Sequence, residues 1–199
     1  MYSGNHGPCH PLHTRLAAAE HLKQNSPPTV FCFVGGGSET TKVKDFVRAR
    51  NLRNVLCLPY QPVEKLGASL SAADLHVVVM GDPFVGTIRP CKIYNILRLG
   101  TSFLYVDPQR SHVTDMLPRG AVGDWAHVFH HGEIAKVAMC INRCDEEGAG
   151  HSEQEMALAR EFSSQQLIPH LMALLKQGVG QYAPGTRAAA ARTISRIQE

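Results

Sequence analysis

No stretch of this sequence approaches the roughly 20 consecutive apolar residues that a membrane-spanning helix needs. Its first residues carry neither the basic nor the apolar region of a secretory leader. A chain that stays inside the cell is the expectation. Runs of basic residues interleaved with aromatics are also lacking: the net charge is only +3, and lysine and arginine are scattered. Nucleic-acid binding is therefore not indicated. The six cysteines, Cys9, Cys32, Cys57, Cys91, Cys140 and Cys144, show no paired metal spacing, so reduced cytoplasmic thiols are expected. Cys9 with His10, His6 and His13 invites a zinc ion, but the spacing matches no common ligand pattern. Neither a metal nor a resident cofactor is expected.

Several catalytic signatures are missing too. No serine, histidine and aspartate stand in an elbow motif, and no close carboxylate pair is spaced for acid–base hydrolysis. A dinucleotide fingerprint needs a further glycine where Thr40 stands, and an acidic residue ending the next strand, which is absent. NAD and FAD are disfavoured accordingly.

What is present is alternation. Apolar runs rich in β-branched and aromatic residues at 29–34, 54–58, 75–80 and 102–106, with a shorter one at 125–130, read as strands bounded by turn residues. Between and after them, three- and four-residue apolar spacing predicts helices over 12–23, 39–50, 62–73, 90–99 and 133–144. A run such as Leu75-His76-Val77-Val78-Val79-Met80, apolar on both faces, belongs in a parallel sheet covered on both sides. Right-handed crossovers then predict an α/β, Rossmann-like doubly wound sheet with helices on both faces. At 199 residues, 44% of them hydrophobic, the chain can bury one such core. Ser152 and Glu155 form a capping-box signature that opens a long C-terminal helix, and Pro169 should kink or split it. The expected organisation is one domain over 1–178 and a loosely ordered Ala/Arg-rich tail over 179–199.

Ligands of open parallel sheets bind at the carboxyl ends of the strands, where helix N-termini present free N–H groups. The loops 4–10, 35–39, 59–64, 81–92 and 107–115 are thereby singled out. Gly35-Gly36-Gly37-Ser38 follows a strand and opens a helix, which lets a phosphate or sugar approach the backbone; a tight turn reads the same way. Gly4-Asn5-His6-Gly7 offers side-chain donors on Asn5 and His6, or is a surface turn. Gly86-Thr87 and Pro90-Cys91-Lys92 precede the fourth helix, where the Lys92 ammonium faces either a diphosphate or solvent.

In order and spacing, Tyr2-Ser3-Gly4-Asn5-His6-Gly7, Phe33-Val34-Gly35-Gly36-Gly37, Leu58-Pro59-Tyr60-Gln61-Pro62, Ser71-Ala72-Ala73-Asp74-Leu75 and Pro90-Cys91-Lys92-Ile93-Tyr94-Asn95-Ile96-Leu97 recur together. This combination resembles the C-terminal domain of family-four retaining glycosyltransferases, especially the bacterial branch that builds cell-surface polysaccharides. The match runs from about Tyr2 to Pro108. It implies one half of a GT-B fold, binding a nucleotide-diphosphate sugar as donor. The acceptor half is expected to be absent from this chain or supplied by a partner chain, so the chain alone is expected to transfer no sugar. By position, Gly4, Asn5, His6, Gly7, Gly35, Gly36 and Gly37 would border the diphosphate and sugar, and Pro59 and Tyr60 would approach the base. Gly86, Thr87 and Lys92 would line the phosphate side. Two glutamates of the family pattern fall at Thr87 and Asn95, and Asn95 retains hydrogen-bonding capacity toward a ribose. The full enzyme is expected to be cytoplasmic, associating peripherally with the inner face of the membrane. Two other readings stay open: a nucleotide-sugar epimerase-like GT-B enzyme, and a non-catalytic nucleotide-binding or interaction domain.

Overall fold

The computed structural model describes residues 1–24, 29–106, 110–147 and 153–180. Its strands are β1 (Tyr2–Asn5), β2 (Phe31–Gly36), β3 (Val55–Leu58), β4 (His76–Val79), β5 (Phe103–Val106) and β6 (Ala126–Phe129). Its helices are α1 (His13–His21), α2 (Thr40–Ala49), α3 (Leu66–Ser71), α4 (Lys92–Leu99), α5 (His112–Met116), α6 (Ile134–Glu147), α7 (Glu153–Glu161) and α8 (Ser164–Gly180). None of the described helices is long and apolar enough to cross a membrane.

Every strand pairing is parallel, as the apolar runs predict. Tyr2 aligns with Phe33 across β1 and β2, and Phe31 with Val55 across β2 and β3. Across the second ladder His76 aligns with Phe103 and Phe103 with Ala126. The Val77 N–H donates to the Met1 carbonyl at 2.8 Å, which sets β4 beside β1 and gives the spatial order 3-2-1-4-5-6. The connection direction therefore reverses between β1 and β4, and that reversal creates the crevice in which doubly wound sheets bind ligands.

Burial explains why the central strands show no alternation. All four residues of β4 and all four of β5 are buried, because helices cover both faces. Tyr2, Phe33, Val79, Leu104 and Val106 from the sheet meet Leu16 of α1 and Val137 and Ile141 of α6 in one core. Each such side chain contributes roughly 1.5–3 kcal/mol of burial. The edge strand β3 departs from this pattern, with Leu56 46% and Leu58 37% exposed.

The chain divides into two compact units, 1–157 and 158–199. Ser152 and residues 181–199 lie outside the described residues, and with them the expected capping box and most of the expected tail. The long C-terminal helix divides between Glu161 and Ser164 and not at Pro169. There the Ser163 carbonyl accepts from the N–H groups of Gln166 at 3.1 Å and Leu167 at 2.9 Å, starting a new helix. Pro169 lies inside that helix, at the cost of one backbone hydrogen bond.

Candidate functional site

The loop after β1 is fastened at both ends of the crevice. On one side the His6 N–H donates to the Gly36 carbonyl at 2.7 Å, and the Glu39 N–H to the His6 carbonyl at 2.8 Å. On the other, His10 Nδ1–H donates to the Val79 carbonyl at 2.7 Å, and the Gly81 N–H to the Cys9 carbonyl at 2.9 Å. Gly35 and Gly37 have φ of +132° and +141°, a region that L side chains rarely enter. A Cβ on Gly35 would strike the Gly4 carbonyl oxygen, and one on Gly37 would strike the Asn5 side chain and the His6 backbone. Close packing of one loop on the other thus requires these glycines before any ligand is considered.

Lys92 opens α4, behind a Cys91 that caps no N–H with its side chain. Its ammonium sits 3.6 Å from the centre of the Tyr2 ring, is buried, and has no hydrogen-bond partner among the described residues. Below it the Arg15 guanidinium lies against the rings of Tyr2 and Phe33, 4.6 and 4.3 Å from their centres, with Nε and Nη1 unpaired. His6 packs 5.4 Å from Tyr2, its Nδ1 3.3 Å from Thr40 Oγ1 and its buried Nε2 without a partner. Burial, and then the neighbouring Arg15, push Lys92 down to about 7. Burial pushes Arg15 down to about 9, while burial, Arg15 and Lys92 together push His6 down to about 4. Three basic groups therefore crowd one aromatic ring. A cation at a helix N-terminus adds to the positive end of the helix dipole and does not offset it. The arrangement is complementary to an anion and is strained without one.

A cavity of about 370 Å³ opens beside this cluster, lined by Gly4, Tyr60, His76, Lys92 and Asn95 among others, with no acidic residue among the described residues of its wall. Its size is that of a small-molecule site. The Tyr60 hydroxyl donates to the Gly36 carbonyl at 3.0 Å, which holds the ring over the glycine run. The structure accordingly brings Gly4, Tyr60, Lys92 and Asn95 to one cavity, with Gly35 and Gly36 against Tyr60. Asn5, His6, Gly7 and Gly37 form the adjoining loop contact. Pro59, Gly86 and Thr87 are exposed and outside this lining. Lys92 and Asn95 both line the cavity, because a separation of three residues on α4 puts them on one helix face.

Three residues of the site escaped the sequence reading. Tyr2 supplies the ring on which the cations gather, and Arg15 is a buried cation. His76 is the single polar residue of its apolar run, and its Nε2–H donates to the Leu70 carbonyl at 3.1 Å. A signal existed for Arg15: it stands beside Leu16, Ala18 and Ala19 on the buried face of α1, where an unpaired arginine is costly.

No family model matches the chain. It is 33% identical over 100 residues to the putative colanic acid biosynthesis glycosyl transferase WcaI of Escherichia coli, a stretch that is 50% of this chain and 24% of that protein. Among solved structures, it matches the pneumococcal O-GlcNAc transferase GtfA in complex with UDP and GlcNAc, with a TM-score of 0.69 and 10% identity over 88% of this chain and 35% of that one. HepE of Anabaena in complex with UDP and glucose matches with a TM-score of 0.66 and 16% identity, over 86% of this chain and 47% of that one. The catalytic domain of the cholesterol-α-glucosyltransferase of Helicobacter pylori matches with a TM-score of 0.55 and 12% identity, over 83% of this chain and 94% of that one. The chain thus spans about a quarter of the curated relative and less than half of GtfA and HepE. Its fold is that of a domain of the GT-B glycosyltransferases it matches.

Proposed function

We propose that this domain is the donor-binding half of a family-four retaining glycosyltransferase, with the diphosphate of a nucleotide sugar seated against Lys92. The observation that carries this reading is the buried Lys92 ammonium, without a hydrogen-bond partner among the described residues and beside a cavity to which they contribute no acidic side chain. Asn95, one turn along the same helix, is placed for the ribose, and Tyr60 for the base. As the sugar leaves, negative charge accumulates on the diphosphate. Lys92, at the positive end of the α4 dipole, is positioned to stabilise it. This half needs no nucleophile of its own for that task.

The likeness to a colanic acid enzyme supports a role in surface polysaccharide synthesis at the cytoplasmic face of the membrane. The acceptor half would come from sequence beyond this chain or from a partner chain. Calorimetric titration with UDP and GDP, run beside a transfer assay, tests the proposal. Weak binding of one nucleotide without turnover is the expected result. Turnover by this chain alone would overturn the account of a separate acceptor half. Failure to bind either nucleotide would favour the interaction-domain reading, which the exposed Thr87 supports, because a threonine stands where the family places a carboxylate.

A further inference from the structure

The cysteines that the sequence leaves unpaired are brought together at a place remote in sequence from the nucleotide loops. Cys140 and Cys144 stand one turn apart on α6, and His127 lies on the edge strand β6. The three ligand atoms are all within 4.8 Å of one another, and they form the metal-compatible grouping among the described residues. The sequence-level alternative around Cys9 does not assemble: His10 Nδ1 is committed to the Val79 carbonyl, and His6 is packed against Tyr2 and Phe33.

We propose that His127, Cys140 and Cys144 form a zinc site that clamps α6 to the edge strand β6. His127 Nε2 lies 3.5 Å from Cys144 Sγ. A tetrahedral zinc with Zn–S of about 2.3 Å and Zn–N of about 2.05 Å sets sulfur and nitrogen about 3.6 Å apart and two sulfurs about 3.8 Å apart. His127 and Cys144 already stand at that separation, and the other pairs, within 4.8 Å, need only draw in around the ion. Two thiolates and a neutral imidazole cancel the charge of Zn²⁺, which suits a site where His127 and Cys140 are buried. Cys144 also lines a cavity of about 810 Å³ together with Asp145, Ile141 and Cys32, so the site is reached from solvent on the side of this ligand. Three protein ligands with an open fourth position is a known zinc arrangement.

The test uses the whole 199-residue chain, fully reduced, with Zn²⁺ titrated against a chromophoric zinc chelator and with Co²⁺ as a spectroscopic probe. One zinc per chain is expected, together with thiolate-to-cobalt charge-transfer bands and a rise in melting temperature on adding zinc. Loss of an outer partner of a metal ligand costs 10–100-fold in affinity, so Cys144→Ser and His127→Asn, which remove a ligand outright, should each weaken zinc by more than about 100-fold. Cys9→Ser should bind zinc as the parent does. Circular dichroism of the metal-free variants checks that they fold; if both unfold, the cobalt spectrum of the parent decides. Failure of the reduced parent to bind zinc, absence of thiolate bands, or undiminished binding in both ligand variants would each overturn the proposal.

Discussion

Lys92 should take up a proton when a nucleoside diphosphate binds. In the free protein burial and the nearby Arg15 lower its pKa to about 7, so at pH 8 only about a tenth of the molecules carry the ammonium. A diphosphate in contact favours the charged form and returns the pKa toward the ordinary value near 10.4. Binding at pH 8 then takes up about 0.9 proton through this residue, and at pH 7 about 0.5. The sign follows directly: the bound state holds more protons, so affinity falls as pH rises, approaching tenfold per unit well above pH 7. The terminal phosphate titrates near pH 6 and is fully ionised at pH 8, and Arg15, lowered only to about 9, is about nine-tenths charged there and adds about 0.1 proton at most. Calorimetric titration with UDP at pH 8, in buffers of different ionisation enthalpy, measures the uptake. Lys92→Gln should bind more weakly and reduce the uptake to near zero. Uptake near zero in the parent, or the same uptake in Lys92→Gln, would refute the placement of this lysine against the diphosphate.

The same residue carries a stability prediction. Its folded pKa lies below its unfolded one, so the unfolded chain binds more protons between about pH 7 and 10.5, and the ligand-free protein should gain stability as pH rises through that window. Lys92→Met keeps the apolar stem but removes the unpaired charge. It should therefore raise the melting temperature at pH 7 while weakening UDP by about 1.5–3 kcal/mol; a lowered melting temperature would contradict the picture of an uncompensated cation. Gly37→Ala places a Cβ at positive φ against Asn5 and His6. Thermal unfolding should show a loss of at least roughly 1–2 kcal/mol, and a melt equal to that of the parent would mean that the two loops are not packed as described.

Legibility in the sequence followed physical cause. Strands β4 and β5 were plain because burial on both faces leaves an unbroken apolar run. The four-residue β1 is too short to show any period and is not among the strands that the apolar runs predict. Helix α5 went unread because its five residues hold together through Ser111 and Thr114, each side chain satisfying the other's backbone, with no apolar stripe to see. Helix α3 proved shorter than its pattern, since Val63–Lys65 winds as a 3-10 turn after Pro62. At the site, Lys92 was visible from its place at the start of a helix, and Asn95 only through the family resemblance. The parts played by Tyr2 and Arg15 come from a guanidinium lying on rings from two different strands, and no local pattern encodes that contact. Likewise Cys140 and Cys144 gain meaning only when β6 carries His127 back to α6.

The strand order has a consequence for how the molecule is made. The earliest strand in the sequence, β1, occupies the middle of the sheet, and its two neighbours arrive about 30 and 75 residues later. During synthesis it must wait, unpaired on one side, until β4 has left the ribosome. Long-range parallel pairing of this kind is slow, because loop-closure entropy is spent before any contact repays it. The loop that forms the ligand crevice is tied to both β2 and β4, so it can take shape only when the two halves of the sheet have joined. Refolding monitored by nucleotide binding is thus set by the last step of assembly, while the signal from the β4–β5–β6 ladder, with the buried Trp125 beside Phe103, reports an earlier one.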